Sequence, residues 1–341
     1  MNQTQINHLT CEHPFKPTCG KLRLLNWRSA VLFFLGGFVL WYPPSLSQEV
    51  GQPFSVIAYL PEYRISTLQP NQLKCVTELI FFGVEPTADG ILPDQPIQPE
   101  TLTKLHQLQK KSGCPMLLSV GGWGRSQHFD ALVSNVSARK RFIRSLKNLC
   151  LSHHFSGVDF DWEHPTGNKA MDAYAALLKE TRTSFHAQGL KVTLALASWQ
   201  DLGNKAYEAV DRVHLMSYDH NYPQATFEKS VADVKGLINN GCPPEKIALG
   251  IPFYGRDRDR QAMTYRELAA NADLDPALNE IHGYAFNGRD TLAQKINYAL
   301  RDKLQGIMIW EIGQDSFDAT TSLLQRICSQ VQSTKPPSPG K

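Results

Sequence analysis

Eight short apolar runs, rich in β-branched residues, punctuate this chain at 55–59, 78–83, 116–121, 157–163, 191–198, 212–218, 246–252 and 305–310. Each has the length of a strand, and amphipathic stretches lie between them. Ser137 is placed to cap a helix with Phe142, Leu146 and Leu149 on one face, and Asn168 one with Met171, Tyr174, Leu177 and Leu178. Thr226 is placed to cap one with Phe227, Val231, Val234 and Ile238, and Asp290 one with Leu292, Ile296 and Leu300. Spacings of three and four are those of a helix with one buried stripe. Strands alternating with helices form a parallel sheet with right-handed crossovers. Near-continuous apolar strands fit a sheet covered on both faces. Eight such units in about 250 residues predict a single closed (β/α)8 barrel of the TIM type. A doubly wound open sheet is the rival, but Leu60-Pro-Glu-Tyr-Arg64 follows the first strand, where that fold usually carries a glycine-rich turn.

The barrel does not use the whole chain. Residues 1–28 are polar and carry Lys16, Lys21, Arg23 and Arg28; an uncharged apolar run at 30–42 follows, stopped by Pro43 and Pro44. A basic region, a short apolar region and a breaker are the layout of an export signal. The expectation is cleavage after Ser47, giving an exported protein, periplasmic or secreted; an uncleaved signal anchoring the chain in a membrane through 30–42 is the rival. The barrel is expected over 48–331 and a disordered tail over 332–341. Cys11 and Cys19 fall in the signal and read as incidental. Of the other cysteines, Cys75 and Cys114 each precede a strand, and their pairing is a weak expectation. The formal charge of +3 on 341 residues offers no basic field for nucleic acid. A monomer without nucleic-acid partners is expected.

The chemistry is concentrated in Ser156-Gly-Val-Asp-Phe-Asp-Trp-Glu-His-Pro165. Asp159, Asp161 and Glu163 stand at i, i+2 and i+4 of a strand and so point one way, while Val158, Phe160 and Trp162 point the other. Three acids facing a barrel interior lack water and repel one another, so at least one pKa should rise. The C-terminal rim of a barrel is where catalytic groups sit. Glu163 is nearest that rim, Asp161 one step deeper and Asp159 deeper still, which reads as a raised general acid supported by two acids below.

At these residues the chain resembles glycoside hydrolase family 18, the chitinase-like hydrolases. The family pattern Asp-x-x-Asp-x-Asp-x-Glu is matched except that Ser156 replaces its first Asp. Three further segments resemble the family at strand ends: Ser119-Val-Gly121-Gly122-Trp123, Met216-Ser-Tyr218-Asp219, and Trp310 on the eighth strand. The resemblance runs from about Phe54 to Cys328. It implies retaining, substrate-assisted hydrolysis of β-1,4-linked N-acetylglucosamine glycans. By that resemblance Glu163 would be the acid and later the base. Asp161 would accept from the acetamido N–H, Asp159 would share its proton, and Tyr218 would hold the acetamido oxygen. Met216, Asp219 and Trp310 would line the sugar site.

Trp123 reads as a sugar platform or a loop-packing residue. Tyr59, Phe82 and Trp199 read as subsite walls or barrel packing. His154, His164, His214 and His220 form no metal motif, and neither a metal nor a cofactor is expected. The stretch from Gly255 to Gln305 is too short for the large α+β insertion of some relatives and shows only a modest helical piece at 265–270. The expected partner is an N-acetylglucosamine-containing polysaccharide or glycan, with chitin the main reading. Two alternatives stay open: an endo-β-N-acetylglucosaminidase acting on glycoprotein or cell-wall glycans, and an inactive chitin-binding lectin of the same fold.

Overall fold

The barrel is closed by eight parallel strands: β1 Ser55–Pro61, β2 Glu78–Val84, β3 Met116–Gly121, β4 Gly157–Asp161, β5 Lys191–Ala197, β6 Arg212–Met216, β7 Ile247–Pro252 and β8 Gly306–Trp310. The structure, a computed structural model, describes residues 53–68, 70–270 and 274–333. The expected signal at 1–47 lies outside them. Of the expected tail, residues 332 and 333 complete the helix Leu323–Ser333, and the rest lies outside.

Sequential strands pair in order, and Ser55 opposite Gly306 closes the ring. Alternation along each strand sorts side chains into two cores. Outward residues pack under the helices: Val158, Phe160 and Trp162 of the β4 segment join Phe129 and Tyr174, with the Trp162 and Phe129 rings stacked at 5.1 Å. Inward residues form a small apolar cluster of Ile57, Tyr59, Ile80, Leu117, Ala248 and Met308. The remaining inward positions are free for polar groups.

Helix starts differ from expectation in detail. Thr226 caps as expected, its hydroxyl accepting from Lys229 N–H. Asn135, not Ser137, caps Val136–Ser152 and accepts from the N–H groups of Ser137 and Ala138. The helices Gly167–His186 and Arg289–Arg301 begin one residue before Asn168 and Asp290, without a side-chain cap bond. The segment between β7 and Arg289–Arg301 makes more than a helical piece. It forms four short antiparallel strands, Tyr254–Arg256, Ala262–Thr264, Glu280–Ile281 and Tyr284–Ala285, besides the helix Tyr265–Ala269. Strands of two or three residues are too short for an alternation to register in sequence.

The expected Cys75–Cys114 pairing is wrong. Cys75 bonds to Cys328, with Cα atoms 5.5 Å apart, because the last helix comes down beside the start of β2. Cys114 is buried and free, and burial pushes its thiol up to about 11.

Candidate active site

β4 delivers the acid ladder in the expected order. Asp159 and Asp161 are buried inside the barrel. The strand ends at Asp161, so Glu163 stands on the loop just beyond rather than on the strand, with its side chain 14% exposed. Gly121 lies opposite Asp161 in register with β3, and Gly122 follows it at φ 107°. A Cβ on Gly122 would strike the Phe82 ring and lie 3.4 Å from an Asp161 oxygen. The two glycines therefore leave room beside the acids.

The three carboxyls have different surroundings. Asp159 accepts from the hydroxyls of Tyr59 and Thr193, each at 2.5 Å, and His214 Nδ1 lies 3.0 Å away. Asp161 Oδ1 is buried and has no hydrogen-bond partner among the described residues. Burial raises its pKa well above the usual carboxylate range, and the charges of Glu163 and Asp159 add to that. Burial, then the nearby charge of Asp219, pushes Glu163 up to about 7, against a backbone N–H from Trp123 that pulls it down. Ser126 holds the Glu163 backbone, its hydroxyl accepting from that N–H at 3.1 Å.

A cleft of about 960 Å³ opens above the ladder. It is lined by Glu163 and Asp161, by Tyr218, Asp219 and Met216 at the end of β6, and by the aromatic rings of Tyr59, Phe82, Trp123, Trp199 and Trp310. The Trp310 ring lies 5.5 Å from that of Tyr59 and 5.4 Å from that of Phe82, making an aromatic floor. Trp123 is 78% and Trp199 70% exposed at the rim. Among the described residues the Tyr218 hydroxyl meets only the Met308 sulfur, at 3.9 Å, a weak acceptor that leaves its proton free for a ligand. Asp219 takes the Tyr254 hydroxyl at 2.7 Å and pairs with Arg256.

The family profile described as "Glycosyl hydrolases family 18" matches residues 55–315. The chain belongs to that family. Relatives of this family 18 chain include "Probable chitinase 2" of Drosophila melanogaster, 25% identical over 270 residues that span 59% of this chain and 56% of that protein. "Chitinase 1" of Aphanocladium album is 31% identical over 185 residues, 45% of this chain and 44% of that one. The chain thus spans about half the length of these curated relatives. A solved chitinase from the chitin utilization locus of Flavobacterium johnsoniae superposes with a TM-score of 0.74 at 23% identity, covering 83% of this chain and 96% of that one. That likeness concerns the fold.

Every sequence-selected site residue of this family 18 chain except Asp159 lines the cleft. Asp159 lies beneath it, held by Tyr59, Thr193 and His214. Tyr59 meets the cleft by its ring, since its hydroxyl is committed to Asp159. Sequence reasoning missed Ser126, Thr193, Tyr254 and Arg256. Tyr254 and Arg256 sit on a three-residue strand with no pattern to betray them. Thr193 was within reach, as it lies directly opposite Asp159 in the register of β5. Among the described residues no cluster of three or more His, Cys, Asp or Glu is arranged to hold a metal ion.

Proposed function

We propose that this chain hydrolyses β-1,4-linked N-acetylglucosamine glycans, chitin oligosaccharides first among them, by a retaining, substrate-assisted route. The observation that carries the reading is the ladder itself: a carboxyl held near neutrality at the rim, over a buried acid with a free oxygen, facing a tyrosine with a free proton.

Glu163 protonates the glycosidic oxygen, and its pKa of about 7 keeps it loaded at mildly acidic pH. The scissile C–O bond breaks as the substrate's acetamido oxygen attacks the anomeric carbon, forming an oxazolinium ion and releasing the leaving sugar as an alcohol. Asp161 accepts from the acetamido N–H. The Asp159–Asp161 pair, with one proton between them, balances the developing positive charge. Tyr218 donates to the acetamido oxygen and holds it in line for attack. Water then gives its proton to Glu163 and opens the ion on the face the leaving group left, so configuration is retained. The sugar's apolar face rests on Trp310.

The test is the purified full chain on chitin oligosaccharides, peptidoglycan and N-glycans, with Glu163→Gln alongside. Cleavage of chitin oligomers with retained configuration, abolished by the substitution, is expected. A fully active Glu163→Gln variant would falsify the acid's assignment; binding of oligomers without cleavage would make the chain a lectin. Residues 1–47 are read here as an export signal, tested by N-terminal sequencing of exported protein, which should begin at Gln48. Intact Met1 in the membrane fraction would identify an anchor instead.

A further inference from the structure

Beneath Asp159 the barrel holds a column of charge that this reaction does not use. Glu78, Lys191 and Arg212 are the first residues of β2, β5 and β6. Glu78 binds the Lys191 ammonium at 2.6 Å through one oxygen and the Arg212 guanidinium through the other. Arg212 Nε donates to His214 Nε2 at 2.8 Å. His214 Nδ1 in turn lies 3.0 Å from Asp159 and 3.1 Å from the Tyr59 hydroxyl. Glu78, Arg212, His214 and Asp159 are all at most 5% exposed.

The direction of these bonds is fixed by chemistry. A guanidinium has only donors. His214 Nε2 must therefore be the acceptor, and the ring proton sits on Nδ1, aimed at Asp159. A second ring proton would face the Arg212 cation, so the imidazole stays neutral. Asp159 then receives three donors: the Thr193 hydroxyl and His214 N–H on Oδ1 and the Tyr59 hydroxyl on Oδ2. The two hydroxyls can turn and accept if Asp159 gains a proton. His214 cannot, because its other nitrogen is occupied.

We infer that His214, locked by Arg212 in one tautomer, is a positioning residue that keeps Asp159 ionised and so places the single proton of the Asp159–Asp161 pair on Asp161. Glu78 is the counter-charge that keeps Arg212 in place. This rests on the proposed roles of Asp161 and Glu163. The groups that share the field are Tyr59 on β1, Glu78 on β2, Asp161 on β4, Lys191 on β5 and Tyr218 after β6. β3, β7 and β8 present the non-titrating Ser119, Ala248 and Met308. At the rim Glu163 also faces Asp219 and His164, whose Nε2 is 3.6 Å away. Without the His214 donor the proton moves down to Asp159. Asp161 ionises beside Glu163, and Glu163 becomes harder to ionise.

Two measurements test this. Nitrogen-15 NMR of the wild-type full chain should find His214 in the Nδ1–H form, without titration between about pH 4.5 and 8; Arg212→Met should release the ring to titrate or to change tautomer. In the pH profile, His214→Ala should lower kcat on the order of tenfold or more with little change in KM, and move the alkaline limb up by about one pH unit. A wild-type His214 that titrates, or that carries its proton on Nε2, overturns the inference. So does a His214→Ala enzyme whose alkaline limb stays in place. The wild-type spectrum needs no substrate and no variant, so it stands even where a substitution unfolds the barrel. An active Glu163→Gln would sink the proposed function while leaving the tautomer assignment intact.

Discussion

The Ser126 hydroxyl accepts from the backbone N–H of Glu163 at 3.1 Å while donating toward the carbonyls of Gly122 and Asp161, at 3.0 and 3.2 Å. One side chain from the loop after β3 thus fixes the acid carried by the loop after β4. Ser126→Ala leaves the Glu163 N–H without this partner, at a cost of about 1–2 kcal/mol. A displaced acid should lose on the order of tenfold in kcat with KM nearly unchanged. Thermal unfolding and oligosaccharide kinetics check both, and a lowered melting temperature with unaltered kcat would show that Ser126 serves stability alone.

Glu163 must be protonated to act as acid, so activity should fall as pH rises through about 7. The same group makes stability depend on pH. Its folded pKa lies above the ordinary 4.5, so the fold loses stability as pH rises from about that value through 7. Glu163→Gln removes this loss. Its unfolding free energy should match the wild type near pH 4 and exceed it at pH 8, by no more than about 3 kcal/mol. Calorimetry at the two pH values decides it, and a constant difference would contradict it.

Asp219 is the second cause of the raised Glu163 pKa. Asp219→Asn removes a negative charge and frees Arg256 to act as a nearby cation. Both changes favour the ionised carboxylate. The alkaline limb should therefore move to lower pH, with activity at pH 7 falling more than activity at pH 5. A limb that stays in place would mean that burial alone sets the acid.

Trp123 and Trp199 offer exposed rings at the rim of the cleft. Trp123→Ala should raise KM for long chitin oligosaccharides on the order of tenfold, the worth of one lost ring contact. It should spare kcat on the shortest substrate cleaved. Equal losses on short and long substrates would place Trp123 in the catalytic step instead.

The Cys75–Cys328 bond closes residues 253 apart in sequence. Reduction, or Cys75→Ser, should cost about 2–4 kcal/mol by enlarging the unfolded ensemble. Cys114, Cys150 and Cys242 are buried and should resist alkylation until the barrel unfolds. Peptide mapping after iodoacetamide treatment checks this, and labelling of Cys114 in the native protein would contradict it.

The barrel was legible because its signals are local and repeated. An alternation of Asp159, Asp161 and Glu163 between Val158, Phe160 and Trp162 assigns faces without knowledge of any neighbour. The same alternation runs through Arg212, His214, Met216 and Tyr218, but only its far end carries a motif. A lone interior histidine reads as packing until its partners from β1 and β4 are known. The disulfide was illegible for a related reason, since only the docking of the last helix decides which thiol Cys75 meets. Asn135 and Ser137 are both competent caps, and the local backbone chose between them.

Among the described residues the inward face of the barrel keeps six buried apolar residues in its own cluster, walled off by the strands from the larger belt under the helices. Cohesion and chemistry are thereby held in separate compartments. Substitutions on the inward face can retune protonation or ligand choice without loosening the belt that resists unfolding. Drift in the belt can change melting behaviour and leave the acids in place. A lineage built this way can explore new substrates and new temperatures as two nearly independent searches.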